Sequence, residues 1–156
     1  MTETVVLDLL NGYEDKGHIV YTDNYYTSPN LFNELQKRNI GTCGTVKSGR
    51  HNMPRDLGPR VLHLQKGDDP VFQRCNNLVA CAWHDTKHVH LLLTVNHNDT
   101  IEKVIRARGE PGGRRTVKKP VIAHEYNTYM SGVDLMDQRL GTYDWSHKSS
   151  KWYMTL

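Results

Sequence analysis

HIVYTDNYYTS, residues 18–28, is the stretch on which the reading of this chain turns. Residues 18–22 alternate with period two and are rich in β-branched and aromatic side chains, which predicts a strand. The run ends in Asp23, and a turn and a Ser28-Pro29 helix start follow at once. Asp23 therefore stands at the carboxyl end of a strand, where the loops of an α/β sheet open into a ligand crevice. Asp before Asn is equally a turn pair whose side chain caps backbone amides, so both roles stand at this point.

Working outward, 4–13 places Val5, Val6, Leu9, Leu10 and Tyr13 on one helical face, and Gly17 precedes the strand. After Pro29 the spacing of Leu31, Phe32 and Leu35 predicts a helix with one buried face, closed by Ile40 and Gly41. A second strand follows over 42–46. Helix, strand, helix, strand is an α/β order, and a right-handed crossover makes the two strands parallel neighbours.

From 61 to 96 the pattern changes to short β-rich runs, 61–64, 71–75, 78–83 and 88–95, with turn residues between them. They predict an antiparallel meander, with Asn76-Asn77 as a tight hairpin and Asp85 in the last turn. Pro120 opens a final helical segment with a bend over 127–132, and a helix over 133–140 carries Asp134 and Asp137. Their i, i+3 spacing puts both carboxylates on one face, and Asp134 falls in the first turn, where the helix dipole favours its charge. Carboxylates from distant segments suit a divalent-metal phosphoryl-transfer site, since hard oxygen ligands hold Mg²⁺ or Mn²⁺. Paired acids on a helix are also an ordinary solvent face.

The chain has 156 residues and a net charge of +3, and a mean hydropathy of −0.66, which fits one globular domain with a core. No apolar run reaches the ~20 residues that span a bilayer, so no membrane partner is expected. Three cysteines with no Cys-x-x-Cys argue against a disulfide framework or zinc ribbon. The positive charge is concentrated in two runs. Residues 47–60 hold Lys47, Arg50, Arg55 and Arg60, and residues 106–119 hold Arg106, Arg108, Arg114, Arg115, Lys118 and Lys119. Gly and Pro in both runs predict loops, which would either neutralise DNA phosphates or simply be solvated. Nine histidines include a cluster, His84, His88 and His90, near Cys81. These ligands would suit zinc and not magnesium, and the alternation of His88 and His90 on one strand face predicts a solvent-facing side. Trp83, Trp145 and Trp152 read as packing residues, although the last two lie in a Lys-containing tail where stacking on DNA is conceivable.

DNYYTS at 23–28, LFNELQKRNIGTCGTVK at 31–47, Trp83-His84-Asp85, EYNTYMSGVDLMDQ at 125–138 and KWY at 151–153 together resemble the piggyBac family of cut-and-paste transposases, in the family's order and over nearly the whole chain. The resemblance implies a truncated RNase H-like core with an inserted antiparallel β-rich segment. It divides the chain into a core at 1–46, a basic loop at 47–60, the insertion at 61–96, a second basic loop at 97–119 and an acid-bearing helical segment at 120–156. By that resemblance Asp23 matches the second catalytic aspartate, Asp134 the third and Asp137 an additional acid beside it, all binding Mg²⁺ or Mn²⁺. Lys47, Arg50, Arg55, Arg114, Arg115, Lys118 and Lys119 are the expected DNA contacts. Transposon-end DNA is the implied partner, a homodimer the implied assembly of the full-length parent, and the nucleus the implied location. The family's first aspartate lies upstream of the second, so the chain is expected to be inactive by itself. A domesticated, non-catalytic DNA-binding or protein-interaction module is the alternative. Ser131-Gly132 replaces the family's usual glycine pair.

Overall fold

The structure, a computed structural model, describes residues 2–95, 99–106, 109 and 111–142, with the side chains of Ile105, Pro111, Val133, Asp134 and Asp137 outside that description. Trp145 and Trp152 also lie outside the described residues.

The chain is α/β. A five-stranded sheet has the order β1-β2-β5-β4-β3, formed by β1 (Ile19–Thr22), β2 (Gly41–Thr45), β3 (Val71–Cys75), β4 (Leu78–His84) and β5 (His88–Leu93). β1 and β2 run parallel, with Thr22 opposite Gly44, as the helix between them requires. β3, β4 and β5 are the expected antiparallel meander. They continue the same sheet, because β5 pairs antiparallel with β2. Asn76 takes a positive φ of 54° in the two-residue turn between β3 and β4, which Asn tolerates better than most residues.

Side-chain alternation builds a core on each face. Ala80, Ala82 and Leu92 point to one side and pack with Val6, Leu31, Phe32, Leu35 and Ile40, from α1 (Thr2–Leu9), α2 (Pro29–Lys37) and the residues after α2. Cys43, Val79, Cys81, Trp83, Leu91 and Leu93 point to the other and pack with Ile122 and Ala123 of α4 (Val121–Thr142). The result is helix, sheet, helix in three layers. Ser28 starts α2 by accepting a 3.0 Å hydrogen bond from the Leu31 amide, with Pro29 at its first position.

Four expectations are corrected. Residues 61–64 do not form a strand: α3 (Pro59–Leu62) is a short helix, opened by Gly58-Pro59 and closed by His63 in the left-handed region. The Gly58 carbonyl accepts from the Val61 and Leu62 amides, so a helix start outweighs the β propensity of Val61. The run 97–119 is not a loop in its described part, where β6 (Thr100–Arg106) and β7 (Arg114–Pro120) form an antiparallel hairpin. The first helix, expected over 4–13, is α1 and ends at Leu9, with Val6 buried and Leu9 73% exposed.

The fourth correction concerns the bend at 127–132, because α4 is one 22-residue helix running straight through it. Thr128 Oγ1 donates to the His124 carbonyl and Ser131 Oγ to the Thr128 carbonyl, both at 3.0 Å. These side chains bond back along the helix instead of breaking it, and one internal Gly costs only about 1 kcal/mol. Asp134 thus lies more than three turns inside α4. The helix dipole does not act on it there, since that effect fades beyond the first turn. Among the described residues, no helix is long and apolar enough to cross a membrane.

Candidate functional site

Asp23 is the first residue after β1, at the carboxyl end of a parallel strand. Its Oδ1 accepts hydrogen bonds from the Tyr25 amide at 3.0 Å and the Tyr26 amide at 3.4 Å. The turn-capping role is therefore real, and it leaves the second carboxylate oxygen pointing to no hydrogen-bond donor among the described residues. Asp23 is exposed. One anchored oxygen and one free oxygen on a fixed turn make a suitable hard ligand for a divalent cation.

The turn is held from beneath. Thr27, fully buried, donates its Oγ1 hydrogen to the Asp23 carbonyl at 2.7 Å, and its amide donates to the same carbonyl at 3.0 Å. Thr27 Oγ1 also lies 2.8 Å from Thr22 Oγ1. Gly44 on the neighbouring strand completes the seat, since a Cβ there would fall 2.3 Å from Thr27 Oγ1 and 2.7 Å from the Thr22 carbonyl oxygen. From the opposite side, an Arg50 amino group donates to the Asn24 and Tyr25 carbonyls, the latter at 3.1 Å. Thr22, Thr27, Gly44 and Arg50 act as one clamp on the Asp23 turn. Sequence reasoning missed the clamp: Thr27 and Gly44 sit in the quoted motifs, but nothing in spacing shows that residues 17 positions apart touch.

α4 crosses the same end of β1. The Tyr21 and Tyr129 rings lie 4.8 Å apart between centroids, and Met130 lines a cavity of about 510 Å³ together with Asp23, Thr22, Tyr26 and apolar residues of α1. Asp134 and Asp137 occupy register positions four and seven residues beyond Met130 on this helix. That i, i+4, i+7 series follows one helical face. Their side chains lie outside the described residues, and among the described residues no three His, Cys, Asp or Glu side chains form a metal-binding group.

The expected DNA contacts fall in different settings. Lys47, Arg55 and Arg114 are exposed. Arg50 is engaged on the Asp23 turn. Lys118 pairs with Asp69 at 2.8 Å, and this partner raises its pKa. Lys119 Nζ sits 5.7 Å from the centre of the Trp83 ring, and desolvation, with Lys103 nearby, lowers its pKa. The Arg115 guanidinium lies against Gly67.

The sheet separates the three histidines from Cys81. Cys81 is on the α4 face, whereas Ala82, the cross-strand partner of His90, is on the α2 face. His90 is buried and not solvent-facing: its Nε2 is 2.8 Å from the Leu57 carbonyl oxygen. His84 and His88 face one another across β4 and β5, ring centroids 4.5 Å apart.

Comparison with known proteins converges on one family. Residues 1–156 match the family described as Transposase IS4. The chain is 23% identical over 155 residues to human PiggyBac transposable element-derived protein 2, covering 96% of this chain and 26% of that protein. It is also 23% identical over 146 residues to human PiggyBac transposable element-derived protein 3, covering 93% of this chain and 24% of the relative. The piggyBac transposase in a cryo-EM synaptic complex with hairpin DNA superposes with a TM-score of 0.68 at 23% identity, over 98% of this chain and 30% of that one. The chain thus spans about a quarter of the length of these curated relatives. With motif order, strand-end aspartate and fold in agreement, this chain belongs to the piggyBac-type transposases of the Transposase IS4 family.

Proposed function

We propose that the chain is part of a DDD-type cut-and-paste DNA transposase, contributing Asp23, Asp134 and Asp137 to the metal-holding site of an RNase H-like core. The observation that carries this reading is Asp23, clamped at the carboxyl end of β1 beside a cavity that Met130 of α4 also lines. Asp134 and Asp137 follow Met130 along one helical face. Mg²⁺ or Mn²⁺ held by these carboxylates supplies stabilisation of charge on the attacking and leaving oxygens of a phosphodiester.

The chain's own residues have definite parts in that chemistry. The Tyr25 and Tyr26 amides fix Asp23 Oδ1 and leave its other oxygen for ligation. The Thr27 hydroxyl and the Arg50 guanidinium hold the turn that presents it. Exposed Lys47, Arg55 and Arg114 neutralise phosphates and position DNA without reading its sequence. Transposon-end DNA is the inferred partner, the solved neighbour being a DNA complex. A homodimer of the longer protein and action in the nucleus belong to the same reading.

The test has two parts. Mn²⁺ titrated into this chain is expected to broaden the NMR signals of residues 22–27 and 130–138, and Asp23→Asn or Asp134→Asn should abolish the broadening. In a longer protein containing this segment, Asp134→Asn should abolish metal-dependent strand cleavage. Retained cleavage would overturn the assignment.

A further inference from the structure

A small pocket of about 100 Å³ lies between the β6–β7 hairpin and the end of β4, well removed in sequence from the Asp23 turn. Its lining includes Lys66, Gly67, Trp83, His84, Asp85 and Arg106. Its volume is far below the ~300 Å³ at which pockets for drug-sized ligands begin, so it admits a small ion and not a base or nucleotide.

The charge around it is predominantly positive. Lys66 and Arg106 line it directly, and neither has an ion-pair partner among the described residues. The Arg115 guanidinium packs against Gly67, about 3.0 Å from where a Cβ would sit. Lys119 lies over the Trp83 ring. Asp85 is the acid in the lining, and it acts on Lys119 by raising its pKa against the stronger effect of desolvation. Arg106 stands directly opposite Arg114 in the hairpin register, and like charges so paired repel unless an anion lies between or beside them.

A second observation points to a ligand. His84 Nδ1 is buried and has no hydrogen-bond partner among the described residues. An unpaired buried ring nitrogen is costly, and when it carries the proton an anionic oxygen in the pocket that Lys66 and Arg106 also line is the partner that would relieve it. We infer that Lys66, His84 and Arg106 form a seat for one phosphate group, separate from the carboxylate site and standing or failing independently of it. Gly67, at φ 98°, lets the Arg115 guanidinium close onto the backbone, because a side chain there would meet it at about 3.0 Å. Exposed Arg114 extends the positive surface outward from the seat, which suits a phosphate carried on a nucleic-acid strand as well as a free one.

The experiment is a heteronuclear NMR titration of this chain with inorganic phosphate, with a short oligothymidylate, and with its uncharged methylphosphonate analogue. Saturable shifts at the His84 imidazole and the Gly67 amide are expected with phosphate. Lys66→Ala and Arg106→Gln should each weaken binding about ten-fold, as loss of a charge-assisted hydrogen bond does. Lys37→Ala, whose lysine pairs with Glu34 on the exposed side of α2, should leave it unchanged. Shifts from the oligothymidylate and not from the methylphosphonate assign the seat to a DNA backbone phosphate, and shifts from inorganic phosphate alone assign it to a free one. Absence of saturable shifts with both anions, or shifts indifferent to Lys66→Ala and Arg106→Gln, would overturn the inference.

Discussion

Thr22 Oγ1 and Thr27 Oγ1 lie 2.8 Å apart, buried beneath the turn that presents Asp23. Thr22 is the last residue of β1 and Thr27 the last before the α2 cap, so one hydrogen bond closes the loop at its base. Thr27 also binds the Asp23 carbonyl. The candidate ligand is therefore held through its own backbone and one carboxylate oxygen, and the other oxygen stays available.

Gly44→Ala should destabilise the fold by about 1–3 kcal/mol, the usual range for overpacking a tight site. The added Cβ would fall 2.3 Å from Thr27 Oγ1 and 2.6 Å from Thr22 Oγ1, and the parallel β1–β2 pairing prevents it from moving aside. Urea unfolding measures the loss. An unchanged midpoint would mean that the seat is looser than its geometry indicates.

Arg50 and Lys47 should behave differently on DNA despite their closeness in sequence. Lys47→Ala should reduce the salt slope of DNA binding by about 1, the mark of one lost phosphate contact. Arg50→Ala should leave the slope nearly unchanged, because its guanidinium is spent on the Asn24 and Tyr25 carbonyls. It should instead speed hydrogen exchange at the Tyr25 and Tyr26 amides. Equal slopes for the two variants would show that Arg50 leaves the turn to meet DNA.

The three thiols should separate into two classes. Cys43 and Cys81 are buried, and burial pushes both pKa values from 9.0 up to about 12. Cys75 is exposed. A thiol reagent at neutral pH should modify one cysteine quickly and the other two only on unfolding, since the thiolate is the reacting form. Fast modification of Cys43 or Cys81 in the native protein would contradict the packing of the α4-side core.

The same shifts set the alkaline limit of stability. A group whose folded pKa is raised contributes stability that is complete below its unfolded value and lost as pH rises toward the folded one. For Cys43 and Cys81 the window runs from about 9 to about 12, and Tyr21, raised from 10.0 to about 12 first by desolvation and then by Cys43, adds to it. Stability should therefore fall above pH 9, by up to about 1.4 kcal/mol per pH unit for each buried thiol. Replacing both cysteines with Ala should flatten the decline.

Gly132→Ala should stabilise the protein by about 0.5–1 kcal/mol, the cost of Gly within a helix. No atom lies within 4 Å of a Cβ placed there, and α4 is continuous through the position. A lower thermal midpoint would instead indicate a bend at Gly132.

Much of the fold was legible because short-range rules governed it. The β1 pattern, the Ser28-Pro29 cap and the Leu31, Phe32, Leu35 face all reappear as predicted, as do the parallel pair and the antiparallel meander. Failures arose where a neighbouring signal or a distant contact outweighed the local one. Pro59 turned a β-branched run into a helix start, and cross-strand pairing turned a Gly- and Pro-containing basic run into the β6–β7 hairpin. The helix of Asp134 and Asp137 was legible, but its true start at Val121 was obscured by Asn127, Ser131 and Gly132.

The sequence by itself determined the periodicities, the caps and the ordered motifs that mark the family, because each depends on residues a few positions apart. It also placed Asp23 at a strand end, with Asp134 and Asp137 three residues apart on a helix. Only the tertiary structure decided that Thr27 and Gly44 meet beneath Asp23 and that Arg50 turns inward. It also decided that α4 packs across the end of β1, where the Tyr21 and Tyr129 rings meet. Such contacts join segments far apart in the chain, and they depend on strand register and on which face of the sheet each helix covers, quantities that no local pattern of residues encodes.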